Sequence, residues 1–341
     1  MVGGTSERNW CGFTRGSKLI ISLRNAAGRA RHRCRSPFIF TSVRQQLVGP
    51  VISNLQELIA PFTEAEFFEM LRARLLVFRR GSDEKRFDAL LDWDTFRSVI
   101  ENDVPTDKLR VTRDGKPVLP HFYLEGGKVN AKNLARLLDH GASVIVVPFD
   151  PYVPKLDALC SNVRARVSEK THAGVVATTG PGCALRLHYD APDIIILQIA
   201  GSKRWKIYDC PVVCPVGGMR EQAPPQNGPV FDDILRPGDF LFLPAGHWHH
   251  CENGPDRSLH LGILIEPPTG WHAVKALQRQ VLAEEMFRVP LTRVGSPAET
   301  AAYEAALKRR LIEKIEQMSF LQFVPEAEKT GAPNGYPTNP E

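Results

Sequence analysis

Hydrophobic positions in the first third of the chain follow helical spacing. The segment that begins at Thr63 is an example, because Thr63 and Glu66 have the spacing of a capping box and Phe67 and Leu71 then supply an apolar face. Such amphipathic segments need a partner to cover their apolar side. We therefore predict that residues 48–141 are mainly helical and pack on the part of the chain that follows.

From residue 142 to residue 268 the pattern changes to short, apolar, β-rich runs separated by glycine, proline or aspartate. Only residues 155–169 have a helical pattern within this region. Short strands with turn signals at this density indicate a β-sandwich or barrel rather than alternating β/α units. The fold class that we predict is therefore mainly β with flanking helices.

The pattern becomes helical again over residues 269–328. Ser296 and Glu299 form a second capping box, and an apolar stripe follows at helical spacing. Its members are Tyr303, Leu307, Leu311, Ile315 and Met318. This stripe either packs back on the β region or forms a dimer interface. Residues 329–341 are rich in proline, glycine and asparagine and are predicted to be a disordered tail.

The net charge of +5 is concentrated near the start of the chain. Residues 1–47 carry nine Lys or Arg and one acidic residue, Glu7, and are predicted to be a disordered basic tail. A transit peptide is the alternative interpretation, and it would make the protein organellar rather than cytoplasmic. The basic stretch from Arg15 to Arg35 has no interleaved aromatic residues, which argues against nucleic-acid binding.

Two further features of the composition narrow the class of protein. No apolar run approaches the roughly 20 residues that a membrane span needs, so we expect no membrane-spanning helix. The seven cysteines are scattered and odd in number, which fits a reducing compartment better than a secreted disulfide framework.

The candidate chemistry begins with His188 and Asp190. They are two residues apart in an apolar, strand-like run, so we predict that both side chains leave one face of a strand. A third ligand is expected from residues 235–250, where a turn and a buried strand precede His247, His249 and His250. Two histidines and one carboxylate with open positions are typical of mononuclear non-haem iron(II) oxygenases. Zinc and a histidine–carboxylate pair in a satisfied core are the alternatives.

These motifs carry a resemblance to a known family. The chain resembles the JmjC-type cupin-like oxygenases, most closely their ribosomal oxygenase branch, over residues 60–268. The family pattern is matched by Thr178, His188, Asp190, Asp193, Gln198, Gly201, Lys203, Trp205, Pro237, Gly238, Asp239, Pro244, Gly246, His249, Ser258 and His260.

The resemblance implies that residues 142–268 form a double-stranded β-helix, or jelly roll. It also implies Fe(II) as the metal, 2-oxoglutarate as cosubstrate, dioxygen as oxidant and a side chain of a protein or peptide as the hydroxylated group. Finally, it implies a homodimer formed through residues 269–328.

The resemblance also assigns the site residues. His249 takes the third metal position, which leaves His247 and His250 as flanking residues. Lys203, otherwise an exposed charge on a turn, pairs with the far carboxylate of 2-oxoglutarate. The remaining assignments are Thr178 and Ser258 as hydroxyl contacts to the cosubstrate, and Asp193, Gln198 and His260 as supports of the metal site.

Some positions depart from the family pattern, and they leave the substrate open. Thr179 replaces a proline, and Gly174 and Val176 replace an asparagine and a tyrosine that members often carry. The C-terminal part looks too short for the winged-helix domain of ribosomal members, so a ribosomal protein is one candidate substrate among others. Hydroxylation of a free amino acid or other small molecule and a non-catalytic cupin-type metal-binding protein remain the alternatives.

Overall fold

The computed structural model describes residues 21–23, 52–167, 170–209, 212–217, 219, 222–291 and 295–319. The predicted basic tail lies outside these residues except for a three-residue strand, and the predicted C-terminal tail lies outside them entirely. The helices are α1 (Leu55–Ile59), α2 (Glu64–Ala73), α3 (Trp93–Asn102), α4 (Ala131–Asp139), α5 (Pro154–Val167), α6 (Gly270–Leu282) and α7 (Pro297–Gln317).

The strands form the centre of the molecule. They are β1 (Ile21–Leu23), β2 (Val77–Arg79), β3 (Arg110–Arg113), β4 (Lys116–Pro117), β5 (Leu124–Glu125), β6 (Lys128–Val129), β7 (Ser143–Val146), β8 (Lys170–Thr178), β9 (Asp193–Ala200), β10 (Lys203–Tyr208), β11 (Pro229–Leu235), β12 (Phe240–Leu243), β13 (His249–Asn253) and β14 (Ser258–Glu266).

Two antiparallel sheets face each other. The major sheet has nine strands in the order β1-β2-β12-β9-β14-β8-β7-β3-β4, and the minor sheet has the order β11-β10-β13. Only the short pair β1–β2 is parallel among the described pairs of the major sheet. The predicted fold class, mainly β with flanking helices around a double-stranded β-helix, is confirmed. Strands β2, β3 and β4 join the major sheet from within residues 48–141, so residue 142 marks a change of pattern but no break in the sheet.

The two faces of the major sheet bury different side chains. Val144 and Val146 on β7 and Val175 on β8 belong to a large apolar core that also contains residues of helices α1 to α5. The opposite face contributes Ile194 and Ile196 to a smaller core shared with the minor sheet. Because strand residues alternate between faces, one side of the sheet is covered by helices while the other looks into the space between the sheets.

The C-terminal helices α6 and α7 pack on each other. Glu284, which follows α6, forms ion pairs with Arg310 and Lys314 of α7 at 2.8 Å and 2.7 Å. The predicted capping box is confirmed, since Glu299 Oε2 accepts from the backbone N–H of Ser296. Among the helices of the described residues, none is both long and apolar enough to cross a membrane.

Candidate metal and cosubstrate site

The segment that carries His188 and Asp190 is a loop. The prediction that both residues lie on a strand is wrong, since β8 ends at Thr178 and β9 begins at Asp193. Gly180 and Gly182 in this connection have positive φ angles of 74° and 136°, which a continuing strand does not contain. The apolar alternation that suggested a strand is therefore interrupted by backbone turns.

A local pairing nevertheless fixes His188 opposite His249 on β13. The His188 backbone N–H donates to the His249 carbonyl at 3.1 Å, and the His249 N–H donates to the His188 carbonyl at 2.7 Å. Residues that exchange both hydrogen bonds in an antiparallel bridge point their side chains to the same face. The two imidazole centroids are accordingly 4.2 Å apart.

Asp190 completes the cluster. Its Oδ2 lies 3.7 Å from His188 Nε2 and 3.4 Å from His249 Nε2. The Gly246 backbone N–H donates to the Asp190 carbonyl at 2.8 Å, which ties the loop to the turn before β13. Each of the three side chains offers one ligand atom, and these atoms all lie within 4.8 Å of one another. Among the described residues, these three form a group that could hold a metal ion.

The second ring nitrogen of each histidine is already used. Nδ1 of His188 lies 2.7 Å from the Arg186 carbonyl, and Nδ1 of His249 lies 3.0 Å from the His247 carbonyl. A carbonyl oxygen only accepts, so Nδ1 carries the proton in both rings and Nε2 is left with its lone pair. Burial lowers the pKa of His249 to about 4, with the neighbouring His188 as a further cause. Both features suit neutral histidine ligands of a metal ion.

The flanking histidines face elsewhere. Nδ1 of the buried His247 lies 3.0 Å from the Pro244 carbonyl. His250 is the next residue of β13 after His249, and its Nε2 lies 3.4 Å from Glu252 Oε1. The structure thus brings His249, and neither neighbour, to His188 and Asp190.

Lys203 is a buried cation inside the same space. Its side chain is 2% exposed, and its Nζ donates to Thr178 Oγ1 at 3.2 Å. No carboxylate of the described residues forms an ion pair with it, and burial lowers its pKa to about 8. A buried charge without a partner is costly. The position is therefore a place where an anion is favoured.

A row of buried hydroxyls runs across the sheet beside Lys203. Strand register places Thr112, Ser143, Thr178 and Ser258 side by side on β3, β7, β8 and β14. Ser143 Oγ and Thr178 Oγ1 are 2.9 Å apart, and the Gln198 amide donates to Ser258 Oγ at 2.9 Å. Thr178 and Ser258, predicted to contact the cosubstrate, are thus neighbours in this row, and Gln198, predicted to support the metal site, binds Ser258.

The other predicted supports separate into two positions. Asp193 accepts a hydrogen bond from the Ala245 backbone N–H at 2.7 Å. This bond connects the start of β9 to the turn before β13. Burial raises the pKa of the Asp193 carboxyl group. His260 is buried between the sheets, 5.5 Å from the Trp205 ring, and its Nδ1 has no hydrogen-bond partner among the described residues. Trp205 in turn stacks on His249 at 5.8 Å, which fixes the orientation of that imidazole.

A cavity of about 290 Å³ lies between the sheets beside these groups. His188, Asp190 and His249 lie on one wall, and Lys203 and His260 are further lining residues. Sequence reasoning missed Arg110, which also lines the cavity, and Ser143, which contacts Thr178. Both reach the site only because β3 and β7 extend the major sheet, a pairing for which the sequence carries no local signal.

The comparison with protein families now adds to this geometry. Residues 149–273 match the model of the JmjC domain family. This match spans the loop with His188 and Asp190, the cation Lys203 and the third ligand His249. The segment is similar to JmjC domains.

Two relatives among the curated proteins carry related names. The bifunctional lysine-specific demethylase and histidyl-hydroxylase NO66 of Drosophila persimilis is 25% identical over 279 residues, which cover 78% of this chain and 40% of that protein. Ribosomal oxygenase 2 of Rattus norvegicus is 28% identical over 157 residues, which cover 42% of this chain and 34% of that protein. The chain thus spans less than half the length of these two relatives.

Solved structures resemble the fold as well. The crystal structure of Escherichia coli ribosomal oxygenase YcfD aligns with a TM-score of 0.49 and 17% sequence identity. The alignment covers 76% of this chain and 68% of that chain.

Proposed function

We propose that this protein is an Fe(II)- and 2-oxoglutarate-dependent oxygenase that hydroxylates an amino-acid side chain of a protein. The observation that carries the proposal is a buried lysine, Lys203, which forms no ion pair with a carboxylate of the described residues and lies in the same cavity as the cluster of His188, Asp190 and His249. A metal-binding protein without turnover needs the cluster but has no use for the cation. An oxygenase of this kind needs both.

The residues present fit the metal ion and the cosubstrate. Two neutral Nε2 atoms and one carboxylate are a donor set that ferrous iron accepts while leaving positions open. Lys203, with the Thr178 hydroxyl next to it, is suited to the far carboxylate of 2-oxoglutarate. When bound, iron supplies the activation of dioxygen, which no side chain provides.

The contribution of the protein is positional. The Arg186 and His247 carbonyls hold the tautomer and the ring orientation of the two histidines. Lys203 fixes one end of the cosubstrate, and the apolar walls of the cavity exclude water. In the overall reaction a substrate C–H bond, dioxygen and 2-oxoglutarate give a C–OH group, succinate and carbon dioxide. One oxygen atom therefore enters the substrate and the other enters succinate.

The names of the relatives support a protein as substrate. One set is named histidyl-hydroxylase and another ribosomal oxygenase. Ribosomal proteins are therefore the first set to assay. The test incubates the protein with Fe(II), 2-oxoglutarate and ribosomal proteins, and follows succinate and the mass of each tryptic peptide.

We expect succinate together with a peptide that is heavier by one oxygen atom, and neither product with His249→Ala. Binding of metal and 2-oxoglutarate without any succinate, over all substrates tried, would instead support the non-catalytic metal-binding protein. Succinate formed only with free amino acids would contradict a protein substrate.

We further propose a homodimer through α6 and α7. Trp271 and Val274 on α6 and Ile312 and Ile315 on α7 are 42–55% exposed, although all four are large and apolar. Exposed apolar faces on two adjacent helices are typical of an interface. A dimer of this kind would bury on the order of 2,000 Å² or more.

Light scattering tests the dimer. We expect twice the mass of the 341-residue chain, and a return to the single mass in Ile312→Asp/Ile315→Asp. Both side chains are exposed in the single chain, so these substitutions leave its fold intact. A wild-type protein with the mass of one chain would contradict the dimer.

A further inference from the structure

The half of the cavity away from Lys203 has an aliphatic wall. Strand register puts Ile145, Val176 and His260 in one row across β7, β8 and β14. Gly174, Gly262 and Ile196 follow in the next row, across β8, β14 and β9. Beyond His260, none of these wall positions offers a side-chain hydrogen-bond donor or acceptor.

The two glycines set the depth of this half. Gly174 and Gly262 are direct partners on neighbouring strands, and both line the cavity. A Cβ atom at Gly174 would come within 2.7 Å of Val147 Cγ2, and one at Gly262 would come within 3.1 Å of Ile194 Cγ2. A side chain at Gly174 would therefore force Val147 to shift, and one at Gly262 would press on Ile194.

Such a wall discriminates between target side chains. An aliphatic group gains free energy when it leaves water for apolar surroundings. An imidazole, amide or guanidinium group buried against the same wall would lose its hydrogen bonds to water and, apart from His260, would find no side-chain partner in these rows. The wall therefore favours an aliphatic side chain over a histidine or an arginine.

A cation lies at the rim of the aliphatic half. Arg110 is the direct strand partner of Ile145, so it extends the row of Ile145, Val176 and His260 by one strand, to β3. The distance along this row from Arg110 to His260 is about 14 Å, or three strand spacings. Arg110 lines the cavity and is exposed, and no carboxylate of the described residues forms an ion pair with it.

Two cations on β10 of the minor sheet, by contrast, are paired with carboxylates. Arg204 binds Asp232 through two hydrogen bonds of 2.6 Å and 2.8 Å, and Lys206 binds Glu252 at 2.7 Å. Arg110 is thus a cation at the cavity mouth that remains available to a ligand. A guanidinium group pairs most strongly with a carboxylate, because its planar donors match the two oxygens.

We propose that the substrate presents an aliphatic side chain to the inner wall and a carboxylate to Arg110. The inference rests on the proposed oxygenase function and names its substrate class. The reaction would insert one oxygen atom of dioxygen into an aliphatic C–H bond, with 2-oxoglutarate oxidised to succinate and carbon dioxide. The carboxylate comes either from an acidic residue of a peptide or from the α-carboxylate of a free amino acid.

The test compares pools of synthetic peptides with randomised flanks. The central residue is Leu, His or Arg, and the adjacent residue is Asp or Lys; free leucine is a separate ligand. Binding is measured by calorimetry on protein that carries Co(II) and an unreactive 2-oxoglutarate analogue, so the readout does not depend on turnover. The same pools are then incubated with Fe(II) and 2-oxoglutarate and weighed by mass spectrometry.

We expect the Leu–Asp pool to bind at least about tenfold more tightly than the His–Asp and Arg–Asp pools, since each buried unpaired polar group costs that much or more. Arg110→Gln should remove most of the preference for Asp over Lys while 2-oxoglutarate affinity stays unchanged. Arg113→Gln, an exposed arginine on the other face of the same strand, is the matched control and should change neither. Val176→Thr, nearly isosteric, should weaken the Leu–Asp pool about fivefold.

Three results would overturn the inference. The first is that the His or Arg pools bind as tightly as the Leu pool. The second is that neither the peptide pools nor free leucine binds. The third is that Arg110→Gln weakens 2-oxoglutarate binding and keeps the preference for Asp. Binding of free leucine alone would assign the carboxylate to an amino acid and contradict only the protein substrate. If the wild-type protein does not bind 2-oxoglutarate at all, the proposed oxygenase function itself is contradicted.

Discussion

The two ends of the cavity are made from the same strands and have opposite chemistry. At one end, Ser143 and Thr178 occupy neighbouring positions on β7 and β8, and Lys203 donates to Thr178. Two residues along the same strands, Ile145 and Val176 occupy neighbouring positions and are purely aliphatic. Each step of two residues keeps the side chains on the inner face, so polarity changes along the cavity while the backbone frame stays the same.

This difference indicates how the site separates two ligands. The hydroxyl row and the buried cation favour a compact dicarboxylate, whereas the aliphatic rows favour a side chain without polar atoms. The metal ligands lie on the wall formed by β13 and the loop before β9, which faces both ends. Substitutions at either end should therefore affect one ligand and spare the other.

The largest effect is expected at the metal ligands, because both ends of the cavity depend on them. His188→Ala or His249→Ala should remove a metal ligand and abolish succinate formation, together with stoichiometric Co(II) binding. His250→Gln is the matched control, because His250 is the next residue of β13 and faces Glu252 instead. His247→Gln should also keep most of the activity. Equal loss of metal binding in His247→Gln and His249→Ala would contradict the assignment of His249 as the third ligand.

Sequence reasoning predicted the parts of this site that depend on residue type and local order. The apolar runs predicted strands where β8, β9, β12 and β14 form. The motif spacing proposed His188 and Asp190 together with a histidine from residues 235–250, and the family resemblance selected His249. The structure brings these three residues together. Sequence reasoning placed the first two on a strand because the residues around them alternate. The loop is determined instead by Gly180 and Gly182 and by the backbone bridge to His249, which is a tertiary contact.

The rest of the site depends on strand register. From the local sequence alone, Lys203 is predicted to be an exposed charge on a turn. Only the family resemblance assigned it to the cosubstrate. The structure buries it because β10 turns that residue toward the inside of the sandwich. The position of Arg110 in the cavity and that of Ser143 beside Thr178 could not be predicted, since both depend on pairing of strands distant in sequence.

The next largest effect is expected at the polar end. Lys203→Met should raise the KM for 2-oxoglutarate about ten- to a hundredfold, the value of a charge-assisted contact. It should also stabilise the fold. Burial lowers the pKa of Lys203 from 10.5 to about 8, so below pH 8 the folded state bears the cost of a buried charge, on the order of 3 kcal/mol.

Two measurements check this prediction: 2-oxoglutarate kinetics and urea unfolding at pH 7. Lys206→Met is the control, because Lys206 lies on the same strand and pairs with Glu252 outside the cavity. It should change neither quantity strongly. Unchanged 2-oxoglutarate kinetics in Lys203→Met would move the carboxylate anchor to another group.

The same lysine predicts a pH dependence. Below pH 8 Lys203 is charged before the cosubstrate arrives, so affinity for 2-oxoglutarate should be constant with respect to this group. Above pH 8 binding must take up a proton, and the dissociation constant should rise by up to about tenfold per pH unit. Calorimetry on the Co(II) protein between pH 6.5 and pH 9.5 measures it, and Lys203→Met should lack this component. An equal rise in both proteins would assign the titration to another group.

The smallest effect is expected within the hydroxyl row. Ser143→Ala removes the partner 2.9 Å from Thr178 Oγ1 and so frees the hydroxyl that accepts from Lys203. Loss of one neutral hydrogen bond of about 1 kcal/mol corresponds to about a fivefold weaker binding of 2-oxoglutarate. Thr112→Val is the matched control, since Thr112 belongs to the same row but donates to the Ala184 carbonyl at 2.7 Å. It should lower stability and leave 2-oxoglutarate affinity unchanged. If both variants weaken 2-oxoglutarate equally, the row supports the sheet as a whole and has no particular relation to the cosubstrate.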